Sequence, residues 1–511
     1  MELPHRLTRP YLAAVLFAGL IAPALPQSLP NMPLTRLGYT VRKRTVNPQG
    51  DMKNRIDALD RQLAEATRLG NIGEVRRLLA KGMVLLAGNE WTDARDYEHS
   101  IALRADRAFV DTSHPYTVRI EQIYTPTLAL EHSLTARVSV RKAPAGRGGG
   151  GGQPEVVKDL GAFDDVSRDL RESPYLMELD LSSVPDGTYQ VHVEVMDGEK
   201  SLGSASLRFA ARRDLDSALM RLESEAKSAP ETVRADVLYP IDYVHNVNRG
   251  RYDIGAFDIN KEIATAQETL AAAKSGKAAF AGRTGDFKRH YFLTEAGEIM
   301  PYRLYIPKNY DGSRAFPLVM ALHGLGGTED SMFGANYQVI PEAEKRGYII
   351  AAPLGYRIDG GYGRNMGADN KRSKFSEQDV MHVLELVRKD YKIDDQRIYL
   401  MGHSMGGIGT WTLGAKYPQI WASLAPISGV ADPRTVETMR HIPEVVVHGD
   451  ADNTVPVTGS RAMVEEMKKL GVDVKYIEVP GGSHTSVPGP NMSAIFDFFD
   501  THKKSAESGG R

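Results

Sequence analysis

The feature that most constrains this chain is Gly402-His403-Ser404-Met405-Gly406, followed at once by Gly407. Before it, Arg397-Ile-Tyr-Leu-Met401 reads as a buried strand; after it, Gly407-Ile-Gly-Thr-Trp-Thr-Leu413 reads as a helix. A serine between strand and helix sits on a sharp turn, and each flanking glycine removes a Cβ that would clash. That predicts the Ser404 hydroxyl at the tip of the turn. There the helix dipole and free N–H groups favour negative charge. The surroundings fit such a turn. From about 287 to 503, strand patterns (288–294, 299–307, 318–323, 348–353, 397–402, 422–427, 444–448 and 474–479) alternate with helical ones (among them 377–391, 407–417, 459–470 and 491–503). Two opening strands followed by βαβ units imply an α/β fold, a mostly parallel sheet with helices on both faces.

A serine nucleophile needs a base, and in this arrangement the order is Ser, acid, His. Glu444-Val-Val-Val-His448 ends in a loop carrying Asp450 and Asp452, where the acid is expected. Val479-Pro-Gly-Gly-Ser-His484 places a histidine just past another strand. His484 would take the Ser404 proton and return it to the leaving group; the alternative is an exposed loop histidine. An oxyanion needs two backbone donors. Met405 N–H is the first, and Leu325, in Leu322-His-Gly-Leu-Gly-Gly327, is the expected second. His323 precedes Ser404 in the chain and is read as ordering that loop. Tyr356 and Tyr362 follow a strand at the ligand-binding edge of the sheet. They line a substrate pocket, or they belong to a plain mobile loop. Ser376-x-x-Asp379 reads as a capping box at a helix start.

These motifs resemble those of the secreted α/β-hydrolases that include polyhydroxybutyrate depolymerases and feruloyl esterases, and the related prolyl-oligopeptidase-like hydrolases. The resemblance covers residues 299–490. It rests on Tyr302-Arg-Leu-Tyr-Ile-Pro307, Leu322–Gly327, Gly402–Trp411, His448-Gly-Asp-Ala-Asp452-Asn-Thr-Val-Pro456 and Gly482-Ser-His484. It implies that Asp452, three residues before Val-Pro, is the acid, and that Trp411 matches an aromatic on the helix behind the nucleophile. Packing is the first reading of Trp411, acyl-pocket contact the second. The resemblance implies acyl transfer to water with no cofactor, on a small-molecule or polymer ester. Prolyl-oligopeptidase-like peptide cleavage is the alternative. The chain departs from disulfide-bearing members by having no Cys, and no propeller repeat precedes the catalytic region.

The first half carries other patterns. His5, Arg6 and Arg9 precede an apolar run at 11–22, and Ala22-Pro23-Ala24 offers a cleavage site, so residues 1–24 are expected to be a signal peptide. An uncleaved anchor is the alternative; no Cys follows the run, which argues against lipidation. The mature protein would be secreted or periplasmic, with no membrane contact after cleavage. Residues 25–110 are expected to hold a Pro/Asn/Gly-rich tail (25–50) and a helical hairpin, with Gly70 and Gly73 at its break. Residues 111–212 alternate with period two, around turns at Pro185-Asp-Gly187 and Asp197-Gly198, and predict a small β-sandwich-like domain. The glycine run at 148–152 reads as a loop tip or linker. Residues 213–285 read as a helical connector and 286–505 as the α/β-hydrolase domain.

Composition narrows the chemistry. Lys+Arg (63) and Asp+Glu (65) nearly cancel, so no global field points to nucleic acid or an anionic membrane. With no Cys, thiolate chemistry is excluded. No His/acid spacing such as H-E-x-x-H appears, so no metal is expected. A further reading makes the sandwich a glycan- or polymer-binding module with the hydrolase secondary.

Overall fold

The computed structural model describes residues 29–504, apart from 129, 131–132, 144–153, 252–253, 256, 277–278, 281 and 365–369. Residues 1–24, expected to be a signal peptide, the glycine run at 148–152 and Asn365 lie outside the described residues.

Where composition predicted a tail, the chain forms helix α1 (Met32–Val46). The Asn31 side chain caps it by accepting from Leu34 N–H at 3.2 Å. Pro33 sits in the first turn, where its missing N–H costs nothing. Leu34, Leu37 and Val41 then share one face. Helices α2 (Gly50–Arg68) and α3 (Ile72–Leu86) pair through Ile56, Leu59, Leu63, Val75, Leu78 and Leu79. The break is at Gly70, whose φ is +68°. Gly73 lies inside α3 instead. A Cβ there would stand 2.3 Å from the Ile123 carbonyl oxygen, so this glycine admits the neighbouring β region. Helix α4 (Asp93–Ser100) follows.

Strands start before the predicted boundary at 111: β1 (Ile101–Ala105), β2 (Phe109–Asp111), β3 (Tyr116–Gln122), β4 (Leu134–Lys142), β5 (Val156–Val166), β6 (Tyr175–Leu179), β7 (Gly187–Asp197) and β8 (Lys200–Arg212). They make two sheets, β1-β3-β6 and β2-β8-β7-β4-β5. The inward residues Tyr116, Val138, Val191, Val193 and Phe209 share one core. β1 belongs here because its apolar residues pair in register with β3, Ile101 opposite Gln122. Helices α5 (Leu215–Ala226), α6 (Glu231–Asn248) and α7 (Ile259–Lys274) come next. Asp236 of α6 accepts from Arg289 Nε at 3.2 Å and from His290 N–H at 2.8 Å, tying these helices to the last domain.

That domain runs β9 (Gly285–Leu293), β10 (Glu298–Ile306), β11 (Phe316–Leu322), α8 (Val339–Arg346), β12 (Ile349–Pro353), α9 (Asn370–Asp390), β13 (Ile393–His403), α10 (Met405–Lys416), β14 (Ser423–Ile427), α11 (Val436–Met439), β15 (Glu444–Gly449), α12 (Thr458–Lys469), β16 (Val474–Val479) and α13 (Pro488–Thr501). The sheet order is β16-β15-β14-β13-β11-β12-β10-β9, with β10 alone reversed. The chain steps from β11 to β12 on one side and to β13 on the other. The carboxyl ends of β11 and β13 therefore flank a topological switch point, where open α/β sheets bind ligands.

Ser376 and Asp379 do not cap a helix. They lie inside α9 and face the core. Ser376 Oγ accepts from Tyr362 N–H at 3.0 Å, and Asp379 accepts from Tyr291 Oη at 2.6 Å and Tyr356 N–H at 2.9 Å. A capping-box pattern is local, whereas these side chains secure a loop from elsewhere in the chain.

Trp411 is fully buried in α10 behind Ser404 and donates from Nε1 to Glu444 Oε2 at 2.8 Å. Burial pushes the Glu444 carboxyl from 4.5 up to about 8. Between those values the unfolded chain has lost this proton and the folded chain keeps it, so stability falls as pH rises through that window. Glu444→Gln keeps an acceptor for Trp411 without the proton. Its melting temperature, followed by calorimetry from pH 5 to 8, should fall less than that of the unsubstituted protein. Parallel falls would show that Glu444 is ionised in the fold.

Candidate active site

The end of β13 and the start of α10 meet at Ser404, whose φ is 59° and ψ −115°. A β-carbon has little freedom in that conformation, and close backbone approach imposes it. A Cβ on Gly402 would stand 2.4 Å from Gly406 backbone, and one on Gly406 would stand 2.1 Å from the Leu322 oxygen. Glycine at both positions lets the end of β11 lie against the turn. Ser404 N–H is held by the Ile427 carbonyl at 2.9 Å. The side chain faces a cavity of about 770 Å³.

The loop after β11 crosses this turn. A Cβ on Gly324 would come 3.3 Å from Ser404 Cβ. Gly326 N–H and Gly327 N–H are committed to the Ile358 and Gly324 carbonyls at 2.7 and 2.9 Å. Leu325 lines the cavity beside Ser404, and Met405 opens α10 as its first residue. His323 is buried, with ring nitrogens 2.8 Å from the Gly324 oxygen and 2.6 Å from the Leu354 oxygen. It orders the loop, as expected.

The acid and the histidine are brought together by β15 and β16. A Cβ on Gly449 would meet the Gly482 oxygen at 2.1 Å, so the loops after the two strands touch there. Asp452 Oδ2 lies 2.7 Å from His484 Nδ1. Its other oxygen accepts from Thr454 N–H and Val455 N–H, both at 2.8 Å. Burial opposes ionisation of Asp452, but His448 (3.4 Å away), His484 and the Val455 N–H outweigh it and hold the carboxyl far below the usual carboxylate range. Asp450 instead accepts from Gly481 N–H at 2.6 Å, outside this pairing. His484 and Ser404 line the same cavity. A hydroxyl, an imidazole fixed by a buried carboxylate and N–H groups beside the hydroxyl can together take up a proton and shelter an oxyanion.

His403 adds a contact that spacing did not suggest. Its Nε2 donates to the His484 carbonyl at 2.8 Å, and its Nδ1 accepts from Tyr337 Oη at 2.9 Å. Burial, with the nearby His484, lowers it to about 4. His403 is thus a neutral strut that sets the backbone of His484. Only its place beside Ser404 in the sequence could have pointed to it.

Neither Tyr356 nor Tyr362 is among the described residues that line the cavity, and Trp411 takes the packing role that was its first reading. Tyr362 is fully buried, packs over Gly409 and lies 3.3 Å from the His323 oxygen through its hydroxyl. Trp411 is sealed in the core on Glu444. Tyr356 (φ 63°) is half-buried beside Phe375 and Arg357, away from the cavity. Tyr356 and Tyr362 each follow a glycine in the loop past β12, but the period of the chain does not say which way a loop folds back. Residues that do line the cavity, and were missed, include Ser331, Tyr337, Thr485 and the α1 side chains Leu34, Leu37 and Val41. The i, i+3, i+7 spacing of the last three was a readable signal. Asp111, His114 and Asp216 bring one ligand atom each within 4.8 Å. The Asp111 carboxylate is already taken by Ser113 Oγ and by Asp214 and Asp216 N–H, as in a turn clasp.

Residues 294–481 match the family model described as putative esterase. Three curated relatives each match part of the chain. The bifunctional acetylxylan esterase/xylanase XynS20E of Neocallimastix patriciarum is 27% identical over 33% of this chain and 23% of its own length. The uncharacterized peptidase YuxL of Bacillus subtilis is 23% identical over 41% of this chain and 38% of its own. The probable feruloyl esterase C of Aspergillus terreus is 26% identical over 38% of this chain and 66% of its own. The chain thus spans from about a quarter to two thirds of the length of these relatives.

Asp452→Asn should lower kcat for ester hydrolysis by about 10⁴-fold, because an amide no longer fixes the imidazole tautomer. Steady-state kinetics beside a thermal melt check this; a loss under tenfold would remove Asp452 from the machinery.

Proposed function

We propose, from the match of residues 294–481 to the family model described as putative esterase, that the protein is a serine hydrolase cleaving carboxylic esters through an acyl-enzyme on Ser404. His484 takes the Ser404 hydroxyl proton as Oγ attacks the ester carbonyl. Met405 and Leu325 N–H groups hold the oxyanion. Collapse expels the alcohol, which leaves with the proton from His484. Water, deprotonated by His484, then releases the acid and frees Ser404. Asp452 stays ionised throughout and steadies the imidazolium. The 2.7 Å contact between Asp452 and His484, beside Ser404 in one cavity, carries this reading.

The names of the relatives, an acetylxylan esterase/xylanase and a probable feruloyl esterase, favour an environmental ester as substrate. The export-type N-terminus favours a secreted or periplasmic location. Among the described residues no helix is long and apolar enough to cross a membrane. The relative named as a peptidase keeps amide cleavage as a second reading.

A panel of p-nitrophenyl esters and aminoacyl p-nitroanilides tests both. The unsubstituted protein should favour esters, and Ser404→Ala should lose at least about 10⁴-fold. Preferred anilide turnover would put the peptidase reading first, and full activity of Ser404→Ala would refute the mechanism.

A further inference from the structure

The cavity over Ser404 is not closed by the catalytic domain alone. Leu34, Leu37, Gly38 and Val41 of α1, with Met83 of α3, line it together with Leu325 and Ser404. We infer that α1 is the specificity wall of the site: it binds the apolar chain or ring of the ester, which passes over Gly38. This deepens the esterase reading and rests on it for the chemistry.

The wall is secured on both sides. Toward the helical hairpin, Tyr39 Oη donates to Asp60 at 2.8 Å and Arg36 Nη2 to Thr67 Oγ1 at 2.9 Å. A Cβ on Gly82 would come 2.5 Å from the Tyr39 ring, so that glycine is the seat on which α1 rests. Toward the catalytic domain, Arg44 Nη1 donates to the Thr454 carbonyl at 2.7 Å and the Asn453 carbonyl at 3.3 Å. Those carbonyls directly follow Asp452. Asn31 Nδ2 reaches Asp359 at 3.4 Å. The α1 helix is therefore registered to the same loop that fixes the acid.

Gly38 is the informative residue. A mid-helix glycine is less favourable than alanine. At Gly82 a close neighbour accounts for the absent side chain; at Gly38 nothing lies within 4 Å of a would-be Cβ. Packing does not require glycine there, and the empty space opens into the cavity. Its volume, about 770 Å³, lies in the range of roughly 300–1,000 Å³ that holds a drug-sized ligand and far exceeds an acetyl group. Among the described residues that line it there is no carboxylate, and the one Lys or Arg is Arg42. The site therefore suits neutral or anionic esters with a long or aromatic apolar part.

The test uses the full chain and the ratio of kcat/KM for p-nitrophenyl octanoate to that for p-nitrophenyl acetate. Gly38→Phe should lower that ratio by at least about tenfold, since a pocket rejects even one surplus methylene by about that factor. Leu37→Asn, which removes apolar contact and adds no bulk, should lower it in the same direction and decides the matter should Gly38→Phe melt early. An unchanged ratio in folded variants overturns the inference. Calorimetric titration of octanoate into Ser404→Ala, with and without Gly38→Phe, separates the wall from the chemistry. Binding weakened about tenfold by Gly38→Phe supports the wall even if the unsubstituted protein hydrolyses neither ester, a result that would sink the esterase reading alone. Equal octanoate affinity, or none in either, overturns the wall.

Discussion

The close approach of backbone at Gly402, Gly406 and Gly407 is the constraint on which the site depends. Would-be β-carbons there meet Gly406 backbone, the Leu322 oxygen and the Ile427 oxygen at 2.4, 2.1 and 2.6 Å. These contacts belong to the central strands β11, β13 and β14. The sheet can pack α10 tightly behind the nucleophile only because the chain carries no side chains at these points. The left-handed backbone of Ser404 is the consequence, over-determined by the strands around it. The loop after β11, proposed to hold the oxyanion, is set by the same contacts, because Gly324 lies against Ser404 itself.

The remaining machinery is assembled by a second close approach, between Gly449 and Gly482. It joins the loops that carry Asp452 and His484, which stand far apart in sequence. His403 then braces the His484 backbone from below, and Arg44 of α1 grips the carbonyls beyond Asp452. A chain of direct contacts thus runs from the N-terminal helix through the acid loop to the histidine and back to the nucleophile's own neighbour. The N-terminal half is continuous with the site, in agreement with the apolar face that α1 turns toward the cavity.

What was legible in the sequence is what is local. Strand-turn-helix around Ser404, the loop past β15 and the histidine past β16 each announce themselves within a dozen residues, and β16 was bounded to the residue. The side to which a loop folds is not local. Tyr356 and Tyr362 could be read from their positions as pocket or as plain loop, and the core took them, since Ser376 and Asp379 pull the 355–363 loop inward; Trp411 packs, as its first reading had it, with Glu444 as its buried partner. Helix α1 was hidden for a different reason. Pro and Asn around it mark a helix start as readily as a coil, and its tertiary support comes from Asp60, Thr67 and Thr454, the last of them some four hundred residues away.

The central claim is that Ser404 is the activated hydroxyl of this site. Labelling the native protein with a fluorophosphonate and mapping the modified peptide by mass spectrometry tests it most directly, because only a serine activated by its neighbours reacts quickly. One residue, Ser404, should be phosphonylated, and protein denatured by heat before the reagent is added should take no label. A label on another serine, or equal labelling of native and denatured protein, would contradict it.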